Sequence, residues 1–451
     1  MSEMQDGLPF PQRAWAMAAQ AIVITMAVLD GSIANIALPS IAQDLAVSPA
    51  QSIWVVNSYQ LAITISLLPF AALGDLYGYR RVYAWGVAVF TLGSAGCALS
   101  HSLEGLTIAR VIQGFGASGL MSVNVALVRF IFPRAQLGRG IGLNGLFVSA
   151  SAAAGPSIAS GVLSVAHWPA LFAINVPLGV IAMVLIRSLP TTPLAGHRFD
   201  WRSAIANACM FGLGLAGVDG LGHGESWPLV VLEFSGALAA GLLLSRLQRG
   251  QRAPILPVEL FANPVFALSA LTSVCAFVSS TMALVSLPFL FAANGMTTVQ
   301  IGLLITPWSI TSAGMALLAG RLADRVKAGI LGGIGLGVLT IGLLVVWLAP
   351  DQPAFIDMAW RVALCGAGFA LFQAPNNRLL ISSAPRERSG AAGGVLSTAR
   401  LLGQTLGAAL VGVVFSLNGA TNVASGASLA IELGIAGSAA AMVVSLLRLR
   451  V

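Results

Sequence analysis

The sequence predicts an all-α integral membrane protein in which 14 transmembrane helices form two six-helix bundles plus an inserted two-helix hairpin. The composition, the spacing of apolar runs and the placement of basic residues lead to this prediction. Hydrophobic residues make up 57% of the 451 residues, charged residues make up 9%, and the mean hydropathy is +0.88. Soluble domains carry about 25% charged residues. Most of this chain must therefore lie in lipid.

Apolar runs of about 20 residues can cross the hydrocarbon core of a bilayer as helices. Such runs follow one another along the whole chain. The predicted spans are 14–38, 53–73, 82–100, 104–130, 138–163, 168–188, 203–222, 229–248, 264–292, 298–319, 328–349, 357–383, 389–416 and 428–447. An even number of spans places both ends of the chain on the same side of the membrane.

The basic residues support this topology, because Lys and Arg concentrate in cytoplasmic loops. Nearly all of the 23 Lys and Arg residues precede span 1 or lie at the ends of even-numbered spans, as Arg80 and Arg81 do after span 2. The opposite loops hold mainly acidic residues and His, with Arg361 as an exception. We therefore expect a multi-pass protein of the plasma (inner) membrane with cytoplasmic termini. The pI of about 9.9 then reflects orientation in the bilayer and not nucleic-acid binding.

Spans 2 and 10 both end in a short turn in which an Asp is followed by basic residues. We interpret these turns, together with an Arg inside span 13, as a cytoplasmic gate formed by Asp75, Gly78, Arg80, Arg81, Asp324, Arg325 and Arg400. A loop that merely follows the distribution of basic residues is the alternative, and the recurrence of the turn disfavours it. Arg400 could pair with Asp324 or bind backbone carbonyls.

The two turns divide the chain into parallel halves, an arrangement typical of transporters with a site at the membrane midplane. The predicted parts are a cytoplasmic segment 1–13, a bundle 14–188, a linker 189–263 containing the hairpin 203–248, a second bundle 264–447 and a cytoplasmic end 448–451.

Asp30 is a carboxylate inside an otherwise uncharged run, and such a charge in hydrocarbon costs at least a few kcal/mol. At about 1.5 Å per residue it lies roughly 22 Å along a helix that starts at Trp15. Asp219, Glu233 and Glu432 lie near the ends of their spans, and span 10 contains no acid. Asp30 is therefore the acid that the sequence predicts to lie on a functional path through the membrane. The alternative is a polar group satisfied within the protein.

Spans 4 and 5 carry further polar and small-residue patterns. Gln113 follows Arg110 at i+3, so the two side chains share one helix face. The alternative for Arg110 is a side chain that reaches the outer surface. In span 5, Gly155, Pro156 and Gly161 occur among other small residues, which predicts a kinked and tightly packed helix.

With these motifs the chain resembles the major facilitator superfamily, specifically its fourteen-span drug:proton antiporter branch. The matching positions are Asp30, Asn35, Ala37, Leu38 and Pro39 in span 1; Asp75, Gly78 and Arg80 in the loop after span 2; Arg110, Gln113, Gly114 and Gly116 in span 4; Gly155 and Pro156 in span 5; Trp168, Phe172, Asn175, Val176, Pro177 and Gly179 around span 6; and Ala399, Arg400, Leu401, Leu402, Gly403 and Gly407 in span 13. Ala71 and Leu76 depart from the usual loop pattern.

The resemblance implies a proton-coupled exporter of lipophilic, cationic compounds that works by alternating access. Asp30, Arg110 and Gln113 would couple proton and substrate, and Gly155, Pro156 and Gly161 would form the antiporter motif. The implied energy source is the proton gradient, without a cofactor. The expected partners are the lipid bilayer, protons and an amphipathic small molecule. We expect a monomer that does not bind nucleic acid.

Polar and aromatic residues inside several spans are candidates for the substrate cavity, although each could instead serve packing. They are Asn57, Tyr59, Asn144, Trp308, Phe369, Phe372, Gln373 and Asn376. A cavity of this composition suits amphipathic organic molecules.

The sequence contains no Walker loop, and none of its His, Cys or acidic residues have metal-ligand spacing. We therefore expect neither an enzyme nor a metalloprotein. Two other functions remain open: proton-linked export or uptake of one endogenous metabolite, and a non-transporting membrane receptor or scaffold.

Overall fold

The computed structural model describes residues 7–133, 136–192, 194, 199–223, 225–248, 258–323, 325–350, 354–385, 389–418 and 423–449, and these residues include no β-strand. The long helices are α1 (Gln12–Asp44), α2 (Trp54–Tyr77), α3 (Tyr79–Ala98), α4 (Leu103–Ile131), α5 (Leu137–Leu163), α6 (Asn175–Leu185), α7 (Trp201–His223), α8 (Trp227–Gln248), α9 (Pro264–Ala293), α10 (Thr298–Leu322), α11 (Ala328–Trp347), α12 (Phe355–Ser382), α13 (Ser389–Asn418) and α14 (Val423–Leu447).

These helices follow the predicted spans in order, with two notable differences. Helix α1 continues to Asp44, beyond the predicted end at residue 38. Span 6 is divided into a short helix, Pro169–Ala173, then α6 and a final 3₁₀ turn, Ile186–Ser188. Thirteen candidate segments within the described residues are long and apolar enough to cross a membrane. Helix α3, which begins beside Arg80 and Arg81, is not among them.

The two halves repeat the same close approach between helices. In the first half, a Cβ atom added to Gly114 of α4 would lie 2.7 Å from the carbonyl oxygen of Tyr59 in α2. In the second half, a Cβ atom on Gly366 of α12 would lie 2.1 Å from the carbonyl oxygen of Trp308 in α10. Glycine at both positions lets backbones meet as they do in tightly packed membrane helices. The α2–α4 and α10–α12 pairs thus both pack through a glycine against a backbone carbonyl.

We predict that Gly114→Ala separates α2 from α4, because the new methyl group has no room beside Tyr59. Overpacking of this kind costs about 1–3 kcal/mol. Thermal unfolding in detergent should show a lower midpoint for this variant. The matched control is Gly212→Ala in α7, where no atom lies within 4 Å of the added Cβ position. Equal midpoints for Gly114→Ala and wild type would contradict the prediction.

The inserted hairpin of α7 and α8 is attached to the first half by a hydrogen bond inside the protein. Pro69 within α2 has no N–H, so the carbonyl of Ile65, four residues earlier, loses its helical donor. The buried side chain of Asn207 in α7 donates to this carbonyl at 3.0 Å. Helix α7 also packs on α13 of the second half. The hairpin therefore contacts both halves where α2 meets α13.

The two halves share a buried core on one face of the molecule. There, Ile36 and Ile53 of the first half belong to the same apolar cluster as Phe289, Phe291 and Phe415 of the second. We call this the joined face. The other face, which holds both described ends of the chain, is called the terminal face. Near it, the halves have separate apolar clusters, and Leu401 is the one second-half residue in the first-half cluster.

Candidate functional site

Asp30 and Arg110 form an ion pair in the interior of the first half. Arg110 Nη1 lies 2.5 Å from Asp30 Oδ2, and each side chain is only 1% exposed. Asp30 comes from α1 and Arg110 from α4, two helices that pack directly on each other. A buried charge without a partner is strongly destabilising, and pairing removes much of that penalty. The structure thus places Arg110 inside the protein and not at its outer surface.

Three side chains complete the hydrogen bonds of this pair. Gln113 Nε2 and Asn175 Nδ2 donate to Asp30 Oδ1 at 2.7 Å and 3.2 Å. Gln113 Oε1 accepts from Arg110 Nη1 at 2.7 Å, so one amide contacts both ions. Gln113 Nε2 also donates to Ser94 Oγ at 2.8 Å. Helices α1, α3, α4 and α6 therefore meet in one polar network.

Arg110 is held from its other side by α2. Its Nε donates to the carbonyl oxygen of Val55 at 2.8 Å. Its guanidinium carbon lies 4.0 Å from the ring centroid of Tyr59 and 5.5 Å from that of Phe172. Cations are attracted to aromatic faces within about 6 Å. The planar guanidinium is thus fixed by hydrogen bonds at its edge and by aromatic rings beside it.

The close approach of α3 to α4 depends on Gly93. A Cβ atom on Gly93 would lie 2.6 Å from the backbone N and Cα of Gln113. Any larger residue would therefore push α3 away from the helix that carries Arg110 and Gln113. The next residue, Ser94, could then no longer accept from Gln113 at its present distance.

The second half lacks this ion pair. Gly366 of α12 has the packing position that Gly114 has in α4, so Val362 corresponds to Arg110 and Cys365 to Gln113. Helices α1 and α9 each contain a Pro, Pro39 and Pro288, and the residue nine positions earlier is Asp30 in α1 and Ser279 in α9. Among the described residues, the first half therefore has an ion pair at this place, and the second half has the uncharged residues Val362, Cys365 and Ser279.

Two of the predicted cavity residues belong to other buried polar clusters. Asn144 accepts from Asn124 at 2.8 Å, and Asn124 in turn accepts from Gln20. Asn376 accepts from Arg448 at 2.6 Å and donates to Ser273 at 2.7 Å. Both clusters tie helices together within one half, so they fit a packing role.

The remaining cavity candidates have different surroundings. Tyr59 belongs to the ion-pair site, and Asn57 is buried with no hydrogen-bond partner for its Oδ1 in the described part of the protein. Trp308 and Phe372 are buried in the shared apolar cluster. Phe369 is half-buried and lies 5.2 Å from Phe277, and Gln373 is half-buried as well.

The first predicted gate turn contains a Tyr–Asp contact. Tyr79 donates its hydroxyl to Asp75 Oδ1 at 2.5 Å, while its backbone N–H donates to Thr192 Oγ1. Burial, together with the bond to Asp75, raises the pKa of the Tyr79 phenol to about 12. Gly78 has φ +91°, a backbone conformation that favours glycine in a tight turn. Asp75 thus accepts a hydrogen bond from the Tyr79 side chain within this turn.

The other gate residues are separate from this turn. Arg80 is half-buried, whereas Arg81 and Arg325 are exposed. Asp324 lies outside the described residues, so its contact with Arg400 stays a prediction. Arg400 itself is half-buried within α13. The gate therefore stays a prediction for these residues.

The small residues of α5 contact both halves. A Cβ atom on Gly155 would lie 2.8 Å from Ser32 Cβ of α1, and one on Gly302 of α10 would lie 2.8 Å from the carbonyl oxygen of Pro156. Gly161 has no atom within 4 Å of its Cβ position. Gly155 and Pro156 thus lie where α5 packs between α1 and α10.

Sequence reasoning assigned no site role to Asn175 or Ser94. Asn175 appeared only as part of a family-like stretch, and Ser94 had no signal beyond its place in an apolar span. An amide at the first residue of a helix carries little information alone, because its partner Asp30 is 145 positions away. Only the packing of α6 on α1 shows that it reaches Asp30.

Thirteen long apolar segments within the described residues, packed around a buried ion pair, are typical of a polytopic membrane transporter. The profile of the Major Facilitator Superfamily matches residues 21–408, and the chain belongs to this family. It is therefore a multi-pass integral membrane protein and a transporter.

Its relatives agree with this assignment. The chain is 53% identical to the uncharacterized transporter YebQ of Escherichia coli (strain K12), over 91% of each chain. It is 32% identical to multidrug resistance protein Stp of Mycobacterium tuberculosis (strain CDC 1551 / Oshkosh), over 87% of this chain and 74% of Stp. A crystal structure of a bacterial homolog to the human lysosomal transporter Spinster has a TM-score of 0.72 at 15% identity, covering 98% of both chains. That structural likeness shows the fold.

Proposed function

We propose that this transporter exports lipophilic compounds in exchange for protons by alternating access. The observation that supports the proposal is the buried Asp30–Arg110 pair, joined by Gln113. A carboxylate in the interior of a membrane protein is a natural proton carrier, and such residues commonly mark proton pathways. The name of the relative Stp, a multidrug resistance protein, supports export of drugs or other toxic compounds.

In this mechanism Asp30 exchanges its contact with Arg110 for a proton. Deprotonated Asp30 accepts from Arg110, Gln113 and Asn175. A proton on Asp30 removes its negative charge, so its attraction to Arg110 falls and α1 can move relative to α4. Rocking of the two halves would then open the joined face and close the terminal face.

The proposal includes fourteen membrane spans, cytoplasmic termini and a place in the inner membrane. Under this orientation the terminal face is cytoplasmic, and the present structure is closed toward the outside. The two Asp turns would act as a latch on the cytoplasmic side in the outward-open state. The expectation of cationic substrates stays a prediction. The carboxylate of Asp30, which could attract a cationic substrate, is already paired with Arg110.

A growth-inhibition panel tests the proposed function. Cells that express the protein should tolerate several chemically unrelated lipophilic compounds better than cells that express Asp30→Asn at equal protein level. Dissipation of the proton gradient should remove the difference in compound accumulation. Protection against a single compound would favour a dedicated metabolite exporter. An absence of both protection and proton-linked accumulation changes would contradict the proposal.

A further inference from the structure

Arg400 is a cation far inside a membrane-spanning helix. It is eleven positions after Ser389, the first residue of the 30-residue helix α13. At about 1.5 Å per residue, this places its backbone roughly 17 Å from the start of the helix. A charged side chain at such depth is costly, and it normally pairs with an acid or with backbone carbonyls.

Within the described residues, Arg400 has no such partner. Its side chain is half-buried, and its Nε atom is fully buried without a hydrogen bond. The ion pairs that the structure describes join Asp30 to Arg110 and Asp357 to Arg361. Helix α10, which leads toward Asp324, packs mainly on α12 and α5. Arg400 therefore provides hydrogen-bond donors and a positive charge that this part of the protein does not use.

The residues around Arg400 place it at the seam between the two halves. The next residue, Leu401, belongs to the buried cluster of the first half. Thr405, one turn further on, lies with its hydroxyl 3.2 Å from that of Thr64 in α2. Gly393, seven residues before Arg400, lies on nearly the same side of the helix. No atom lies within 4 Å of the Cβ position of Gly393, so the helix surface at this glycine is open.

Aromatic side chains of α9 and α12 lie near Gly403, which is one turn after Arg400 on α13. A Cβ atom on Gly403 would lie 2.7 Å from Phe277 Cβ of α9. Phe277 in turn contacts the half-buried Phe369 of α12 with ring centroids 5.2 Å apart. These rings thus provide an apolar aromatic surface about one helical turn along α13 from Arg400.

The charges favour a negative group at this place. Asp30 is neutralised by Arg110, and α10 contributes no carboxylate between residues 298 and 322. A cationic substrate would therefore meet a like charge at Arg400. A carboxylate would instead accept two parallel N–H bonds from the guanidinium.

We propose that Arg400 binds the carboxylate of an amphipathic organic acid that this protein transports. The proposal rests on the proposed transport function and specifies its substrate class as organic acids, in place of the cations expected from the sequence.

Binding of three matched fluorescent probes to the purified protein in nanodiscs tests the proposal. They are N-dansylglycine, its uncharged methyl ester, and a dansyl amide that carries a trimethylammonium group. Wild type should bind N-dansylglycine about tenfold more tightly than either other probe, because its carboxylate can pair with Arg400. A tenfold difference corresponds to about 1.4 kcal/mol. Arg400→Gln should lose that preference while keeping its affinity for the ester. Arg400→Lys should retain part of it, because it keeps the charge.

The control variant is Arg246→Gln, an exposed arginine in the last turn of α8, which should bind all three probes as wild type does. Equal affinity of wild type for acid and ester, a preference for the ammonium probe, or an unchanged preference in Arg400→Gln would each overturn the proposal. If Arg400→Gln does not fold, the selectivity of wild type and of Arg400→Lys decides.

The same probes separate this proposal from the proposed function. Proton-linked transport of the ester without any preference for the acid would overturn the role of Arg400 and leave proton-coupled export intact. A preference for the acid in binding, with no proton-linked movement of any probe in proteoliposomes, would contradict export and leave the Arg400 site intact.

Discussion

Asp30→Asn is expected to abolish substrate-driven proton movement in everted vesicles. The substitution keeps the size of the side chain but removes the titratable group between Arg110 and Gln113. Without a group that binds and releases a proton here, substrate movement can no longer exchange for a proton. We expect the coupled signal to fall to background, a loss of more than about tenfold, which is 1.4 kcal/mol or more in coupling. Unchanged coupling at normal protein levels would contradict the role of Asp30.

Stability must be separated from coupling in this test. Asp30→Asn leaves Arg110 buried without a counter-charge, and breaking a buried pair in this way costs about 3–5 kcal/mol. The double variant Asp30→Asn/Arg110→Gln replaces the ion pair with two neutral amides. Its unfolding midpoint should recover toward that of wild type, whereas its proton coupling should stay absent. Recovery of both properties would show that Asp30 only supports the fold.

Arg110→Lys should greatly reduce proton-driven export even though it keeps the charge. Arg110 contacts Asp30 and Gln113 through Nη1, the Val55 carbonyl through Nε, and the Tyr59 ring through its planar face. A lysine ammonium is a compact charge and cannot make all of these contacts at once. We expect a drop in the export rate of about tenfold, equivalent to a loss of 1.4 kcal/mol.

Substrate counterflow provides the matching measurement. It needs no net proton exchange, so Arg110→Lys should keep more counterflow than proton-driven export. Arg246→Lys is the control, because Arg246 is exposed in the last turn of α8 and exposed charges contribute about 0–1 kcal/mol. Equal losses of counterflow and export in Arg110→Lys would indicate a damaged fold in place of a damaged coupling site.

The sequence predicted most of the fold and about half of the site. The hydropathy of each span and the alternation of basic residues are local properties, so they place helices in order without knowledge of their contacts. Asp30, Arg110 and Gln113 were recognisable because a charged or amide side chain is conspicuous in an apolar span. The break within span 6 was not predicted, because its sequence remains apolar on both sides of Asn175.

The tertiary structure decided which polar groups meet. Ser94 reaches Gln113 because Gly93 lets α3 approach α4 closely. Asn175 reaches Asp30 because α6 packs on α1. These distances depend on side chains from several helices together, so no single span encodes them.

The charge balance of the interior was likewise a tertiary result. From the sequence alone, the family resemblance implied cationic substrates, and Asp30 was the one core acid. In the structure its charge is compensated by Arg110, whereas Arg400 has no partner within the described residues. The sequence thus determined how many charges enter the membrane and on which helices. Packing alone decided which of them neutralise each other, because an ion pair depends on a distance of a few ångströms between helices far apart in the chain.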